Sequence, residues 1–165
     1  MRRLLLIRHA KSGNKHGVYD DHERPLSNRG ERDAMTMARY LADRDEQLDV
    51  IYSSTAVRAL DYAQIISDFS YTTLVPDLSF YTFSPDELLE ILTNLSDDAR
   101  RVAVVAHNPA ILELANRLLQ EEPGAQLSKV PTSGVVALDC PIDCWTDLGQ
   151  MACELDYFIS PKLCR

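Results

Sequence analysis

Leu4-Leu5-Leu6-Ile7-Arg8-His9-Ala10 is the stretch that decides the fold. A run of four apolar residues ending in an arginine and a histidine reads as a strand buried on both faces, as in parallel sheets covered by helices. The two polar groups then fall at the carboxyl edge of the sheet, where open α/β folds hold their ligands. Met1-Arg2-Arg3 ahead of the run has the outline of a signal peptide, but the apolar segment is far shorter than the roughly 7–15 residues such a signal needs.

Two further runs behave alike. Val102-Ala103-Val104-Val105-Ala106 leads into His107-Asn108-Pro109, and Asp49-Val50-Ile51-Tyr52 leads into Ser53-Ser54, with Arg58 one turn into the next helix. If these strands run parallel, they deliver Arg8, His9, Arg58 and His107 to one edge. Two imidazoles and two guanidiniums gathered there make an anion site.

Helical patterns lie between the strands. One follows a cap at Ser27 or Asn28, with Ala34, Met37, Ala38 and Leu41 on its apolar face, and should end near Asp45. The next has Thr55 as its expected cap and Ala56, Ala59, Leu60, Ala63, Ile65 and Ile66 in helical spacing. Arg58 then opposes the helix dipole in the first turn, an arrangement that favours a nearby anion. Ser84-Pro85-Asp86-Glu87 is a strong start signal, with Glu87 expected to complete a capping box and Leu88, Leu89, Ile91, Leu92 and Leu95 to follow. Asn108-Pro109 repeats the signal ahead of Ile111, Leu112, Leu114, Ala115 and Leu118.

Residues 11–27 form a long polar loop, and loops of that length in compact domains are usually functional or disordered. Past Pro131 the pattern changes to a strand over residues 134–138, a turn at Cys140-Pro141-Ile142-Asp143, a weaker strand within residues 151–158 and an irregular tail from Ser160. The expectation is an α/β fold: a three-layer α/β/α sandwich with a mostly parallel central sheet, and a late strand or two at one edge. Residues 1–165 fit one domain, which at this size buries roughly 70% of its unfolded surface.

The formal net charge of -8 excludes a broad basic face for nucleic acid and disfavours attachment to anionic membranes. An anionic ligand must therefore be drawn by a local cluster in a cleft. Cys140, Cys144, Cys153 and Cys164 all fall in the last quarter, and a chain with an ordinary apolar content needs no disulfide frame, so a reducing cytoplasm is the expected setting. Cys140 and Cys144 have half of a zinc spacing without the other half, and small thiols are the preferred reading.

Taken together, Leu6-Ile7-Arg8-His9-Ala10-Lys11-Ser12, Arg24-Pro25-Leu26 with Arg29-Gly30, Ser53-Ser54 with Arg58-Ala59, and Val104-Val105-Ala106-His107-Asn108-Pro109 resemble the histidine phosphatase, or phosphoglycerate-mutase-like, superfamily. The short chain, the Arg-Pro-Leu element and Pro131-Thr132-Ser133-Gly134 before a late strand resemble its compact branch, the SixA-type phosphohistidine phosphatases. The likeness runs to about Gly134, with a weaker echo at Ser160-Pro161.

The resemblance implies a reaction without metal or cofactor. His9 matches the nucleophile that attacks phosphorus, and it must be neutral to do so. Arg8 and Arg58 match the arginines that grip the phosphoryl oxygens, and His107 the second histidine that donates to one of them. Arg24 matches a further phosphate or substrate contact. Lys11 and His16 read as solvated charges, and Asp20, Asp21 and Glu23 as an acidic loop surface, one of which could orient Arg24.

Larger members of the superfamily use a carboxylic acid to protonate the leaving group. Only Asp77 and Asp86 offer themselves here, Glu87 being already assigned to its helix start. A weak acid favours a leaving group that departs easily, so the expected substrate is phosphohistidine on a protein, such as a phosphotransfer domain. The alternatives are a phosphomonoesterase for a small phosphorylated metabolite and a non-catalytic phosphate-binding adaptor, against which the presence of His9 argues.

Overall fold

In the computed structural model, which describes residues 1–13, 17, 19–120, 124 and 126–164, the opening apolar run lies within β1 (Arg2–Arg8). The other strands are β2 (Val50–Ser53), β3 (Leu74–Pro76), β4 (Arg101–Ala106), β5 (Val135–Cys140) and β6 (Glu154–Ile159). They form one sheet in the order β3-β2-β4-β1-β5-β6. The first four in that order are mutually parallel, whereas β5 runs antiparallel to β1 and β6 antiparallel to β5. The mostly parallel sheet with late strands at one edge is thus the observed arrangement.

Side chains alternate across a strand, so β1 feeds both layers. Leu4 and Leu6 face α3 (Pro85–Thr93) and α4 (Ala110–Leu119), in a cluster with Leu88, Leu92, Ile111 and Leu114. Leu5 and Ile7 face α1 (Asn28–Asp43) and α2 (Val57–Ser70), among Met37, Leu41, Tyr62 and Ile66. All four β1 residues are 0% exposed; burial of each contributes about 1.5–3 kcal/mol.

Ser27 caps α1, its Oγ accepting from Gly30 N at 3.0 Å and donating to the Lys11 carbonyl at 3.1 Å. The helix start approaches the chain leaving β1 so closely that a Cβ on Gly30 would lie 2.0 Å from the Lys11 oxygen. Gly13 N donates to the Pro25 carbonyl at 2.9 Å, and Ser12 bridges to Leu26. The ends of the long first loop are therefore pinned together. His16 lies outside the described residues.

The helix starts differ from the sequence expectations in detail. Ala56, not Thr55, precedes α2, because the buried Ser54 hydroxyl accepts from Ala56 N at 3.1 Å; the Thr55 hydroxyl instead meets His22 Nε2 at 2.8 Å. Ser84 accepts from Glu87 N as expected, but the box is not reciprocal: Thr82 intervenes, donating to Glu87 Oε2 at 2.5 Å and accepting from Ser84 N at 3.2 Å. Pro109 sits just before α4 rather than in its first turn, and Asn108 Oδ1 accepts from Leu112 N at 3.1 Å.

Strand β3 has no counterpart in the sequence expectation. Its three residues end in Pro76, which an edge strand tolerates because one side of it pairs with nothing. The tail is a 3-10 turn, Pro161–Cys164, against α1. Cys140 and Cys153 are buried with their sulfurs 3.0 Å apart, while Cys144 is exposed. Among the described residues no helix is long and apolar enough to cross a membrane.

Candidate active site

Arg8 pairs in register with Ala106, so His9 and His107 leave adjacent parallel strands side by side, and His9 N donates to the Ala106 carbonyl at 2.9 Å. The helices that follow, α1 and α4, lie on opposite faces of the sheet. The crevice between these two strand ends is the topological switch point where α/β sheets bind ligands. On the other side of β4, Ser53 pairs with Val105, which brings Ser54 next to His107. The two imidazole rings lie 5.2 Å apart.

His9 Nδ1 stands 2.8 Å from the Ala10 carbonyl oxygen. A carbonyl only accepts, so Nδ1 carries the hydrogen and Nε2 holds a free lone pair. Burial pushes the His9 pKa down to about 4, and the charges of Arg58, Arg8 and Arg24 push the same way against the Ala10 hydrogen bond. The ring is therefore neutral near pH 7. Beneath it, Ser133 N donates to the His9 carbonyl at 2.8 Å while the buried Tyr62 hydroxyl holds the Ser133 carbonyl at 2.8 Å.

His107 is 0% exposed, with Nε2 2.8 Å from Ser54 Oγ and Nδ1 3.5 Å from Arg58 Nη2. Burial, then His9 and Arg58, lower its pKa to about 3. A hydroxyl can accept from or donate to Nε2, so Ser54 supports either tautomer: Nδ1 accepting from Arg58, or Nδ1–H donating to a phosphoryl oxygen.

The arginines are held without being saturated. Arg8 Nη1 donates to the Val130 carbonyl at 3.2 Å, and Arg58 donates to the Asp21 carbonyl oxygen at 2.5 Å and to Asp21 Oδ2 at 3.0 Å. The Nε groups of Arg8 and Arg24 are shielded from solvent and have no hydrogen-bond partner. Burial and the neighbouring Arg58 both lower the pKa of Arg8. Clustered guanidiniums with unused donors are the complement of a tetrahedral oxyanion.

Asp21 is more than a carboxylate of an acidic loop surface. It contacts Arg24 at 3.4 Å as that reading allowed, but it also bonds Arg58 and accepts from the Tyr81 hydroxyl at 2.5 Å. The Tyr81 hydrogen bond foremost, with Arg58 and Arg24, draws its pKa to about 2 against the effect of burial. The three-residue spacing to Arg24 was a visible signal; the partnership with Tyr81, sixty residues away, had none. Tyr81 and Phe83 were missed for the same reason, and both rings reach His107, at 5.4 and 5.3 Å.

Asp77 and Asp86 have other engagements. Asp77 Oδ1 accepts from Ser79 N at 2.9 Å at the start of the Leu78–Phe80 turn, and Asp86 pairs with Arg117 at 2.6 Å on the surface. Among the described residues no group of three or more His, Cys, Asp or Glu converges as a metal site.

The sequence pattern of the histidine phosphatase superfamily (branch 1) matches residues 4–79. An uncharacterized protein of Mycobacterium tuberculosis is 30% identical over 166 residues, covering 94% of this chain and 100% of its own. The SixA structure from Agrobacterium tumefaciens superposes with a TM-score of 0.82 at 26% identity, covering 97% of this chain and 98% of that one. The SixA structure from Nakamurella multipartitia gives 0.85 at 26% identity, covering 97% and 96%. With its paired histidines at the switch point of a six-stranded sheet, the chain belongs to the histidine phosphatase superfamily, on its SixA-like branch.

Proposed function

We propose that the protein is a phosphohistidine phosphatase that works through a phosphorylated His9. The observation that carries this reading is the state of His9: its Nδ1–H is tied to the Ala10 carbonyl, leaving a neutral Nε2 amid three arginines. Nε2 attacks phosphorus, the new P–N bond forms as the bond to the leaving nitrogen breaks, and the released imidazole keeps the electron pair. Water then attacks the phosphoryl group on His9, giving inorganic phosphate and returning the ring to its starting tautomer. Arg8, Arg24 and Arg58 hold the equatorial oxygens through both steps, and His107 Nδ1–H donates to one of them. The positive charge the transfer needs thus comes from guanidiniums, with no metal in the reaction.

The choice of substrate follows from proton supply. The carboxylate bonded to Arg58 is Asp21, and with a pKa near 2 it is a poor proton donor at neutral pH. Asp77 and Asp86 are bound to an amide and to a surface arginine. Such a site suits a leaving group that needs no strong acid. A phosphoimidazole protonated on its distal nitrogen leaves as neutral imidazole, whereas an alkoxide does not depart unaided. The SixA likeness supports the same substrate. The test is a comparison of kcat/KM for a phosphohistidine-bearing phosphotransfer domain and for a sugar phosphate. The phosphoprotein should win by about a hundredfold or more, the span that general acid assistance supplies; equal rates would favour the metabolite phosphatase.

A further inference from the structure

Four rings line the wall of the site beyond the phosphate grip. His107 contacts Tyr81 edge-on at 5.4 Å and Phe83 at 5.3 Å; Tyr81 contacts Phe83 at 5.6 Å and His22 at 4.9 Å. His107 is fully buried, yet Phe83 beside it is 45% exposed. An exposed phenyl ring next to a buried site histidine leaves a free aromatic face at the mouth of the crevice.

The local chain fixes that face. Thr82, between the two aromatics, is buried and tied to Glu87 and to Ser84 N. Tyr81 and Phe83 on either side of it both meet the His107 ring, and the Tyr81 hydroxyl is anchored on Asp21 Oδ2. The anchor joins the wall to the same carboxylate that holds Arg58. The ring positions are thus set relative to the phosphate grip.

Building on the function proposed above, we infer that Tyr81 and Phe83 form a specificity wall that selects phosphoryl donors whose leaving group is a planar ring, the imidazole of phosphohistidine in particular. An imidazole bonded to phosphorus opposite His9 extends outward along the crevice. Aromatic faces carry negative potential, so they favour a flat ring and favour it more when that ring is a protonated imidazolium. Protonation on the distal nitrogen is the form in which the P–N bond breaks readily. The wall then favours the reactive form of the substrate without itself donating a proton. An alkyl leaving group gains only ordinary apolar contact there.

The test compares N-phosphoimidazole with acetyl phosphate, which leaves readily but has no ring, for wild type and for the Phe83→Ala, Phe83→Leu and Phe83→Tyr variants. The ratio of the two kcat/KM values should fall about tenfold in Phe83→Ala and Phe83→Leu and be retained in Phe83→Tyr, the size expected of an aromatic contact. Inhibition by orthovanadate, measured in parallel, reports that the phosphate grip is intact in each variant. A ratio unchanged in Phe83→Ala, or restored by leucine as well as by tyrosine, overturns the wall while leaving the phosphatase reading in place. Wild type that turns over neither donor overturns that reading and the wall with it.

Discussion

At the scale of single residues the site is a contest between charge and neutrality. Burial and the nearby cations hold His9 and His107 with pKa values near 4 and 3, so both rings are neutral when an unfolded chain would protonate them below about 6.5. The acid limb of kcat/KM attributable to His9 should accordingly fall near pH 4 rather than near 6.5, which a pH–rate profile measures. The unfolded state binds more protons between these values, so stability is full above about pH 6.5 and declines as pH drops toward 4. Urea midpoints at pH 7 and pH 5 check the sign. Arg8→Lys and Arg58→Lys each keep the charge but lose the planar fork, and kcat/KM should drop by about a hundredfold or more. A loss of less than threefold in both would count against bidentate contact. His9, Arg8, Arg58 and His107 were legible in the sequence because each ends a strand or opens a helix. Asp21, Tyr81 and Phe83 were not, because their places beside these groups arise from contacts between segments far apart in sequence.

At the scale of elements the sequence was legible wherever hydrophobic period and capping chemistry agreed. β1, β2 and β4 carry apolar runs and all four helices an apolar stripe, while Ser27 and Ser84 cap α1 and α3 as their side chains suggest. Hidden from it were features set by neighbours: β3, too short for any period, and the start of α2, where Ala56 is the cap residue, no side chain caps the helix, and the Thr55 hydroxyl meets His22 instead. The junction of β1 with α1 is the least forgiving element boundary. Gly30→Ala would press a methyl group against the Lys11 carbonyl, 2.0 Å away, and should destabilise the protein by about 3 kcal/mol or more, at the upper end of overpacking. Ser27→Ala removes only the cap and should cost about 1 kcal/mol. Thermal unfolding of the two variants checks the order; a Gly30→Ala protein as stable as Ser27→Ala would contradict the close approach.

At the scale of the whole molecule the two edges of the sheet contrast. Near the amino ends of β1 and β4, Glu46 is buried and fully engaged, accepting from Arg3 at 2.9 and 3.0 Å, from Arg101 at 3.2 Å and from Tyr157 at 2.9 Å. At the carboxyl edge the arginines keep unused donors. One edge is built for stability and the other for an anion, within an acidic molecule of net charge -8. Glu46→Ala should therefore lower stability by about 3 kcal/mol, the cost of stranding a buried partner, while kcat at a temperature where the variant is folded stays near wild type. In the proposed reaction His9 itself takes the phosphoryl group. The most direct measurement is the intact mass of the protein after brief mixing with N-phosphoimidazole and rapid quenching in alkali, which preserves a phosphohistidine. The mass should rise by one phosphoryl group, mapped to His9, lost in acid and absent from His9→Ala. Full turnover by His9→Ala, or a phosphoryl group mapped to any other residue, would contradict it.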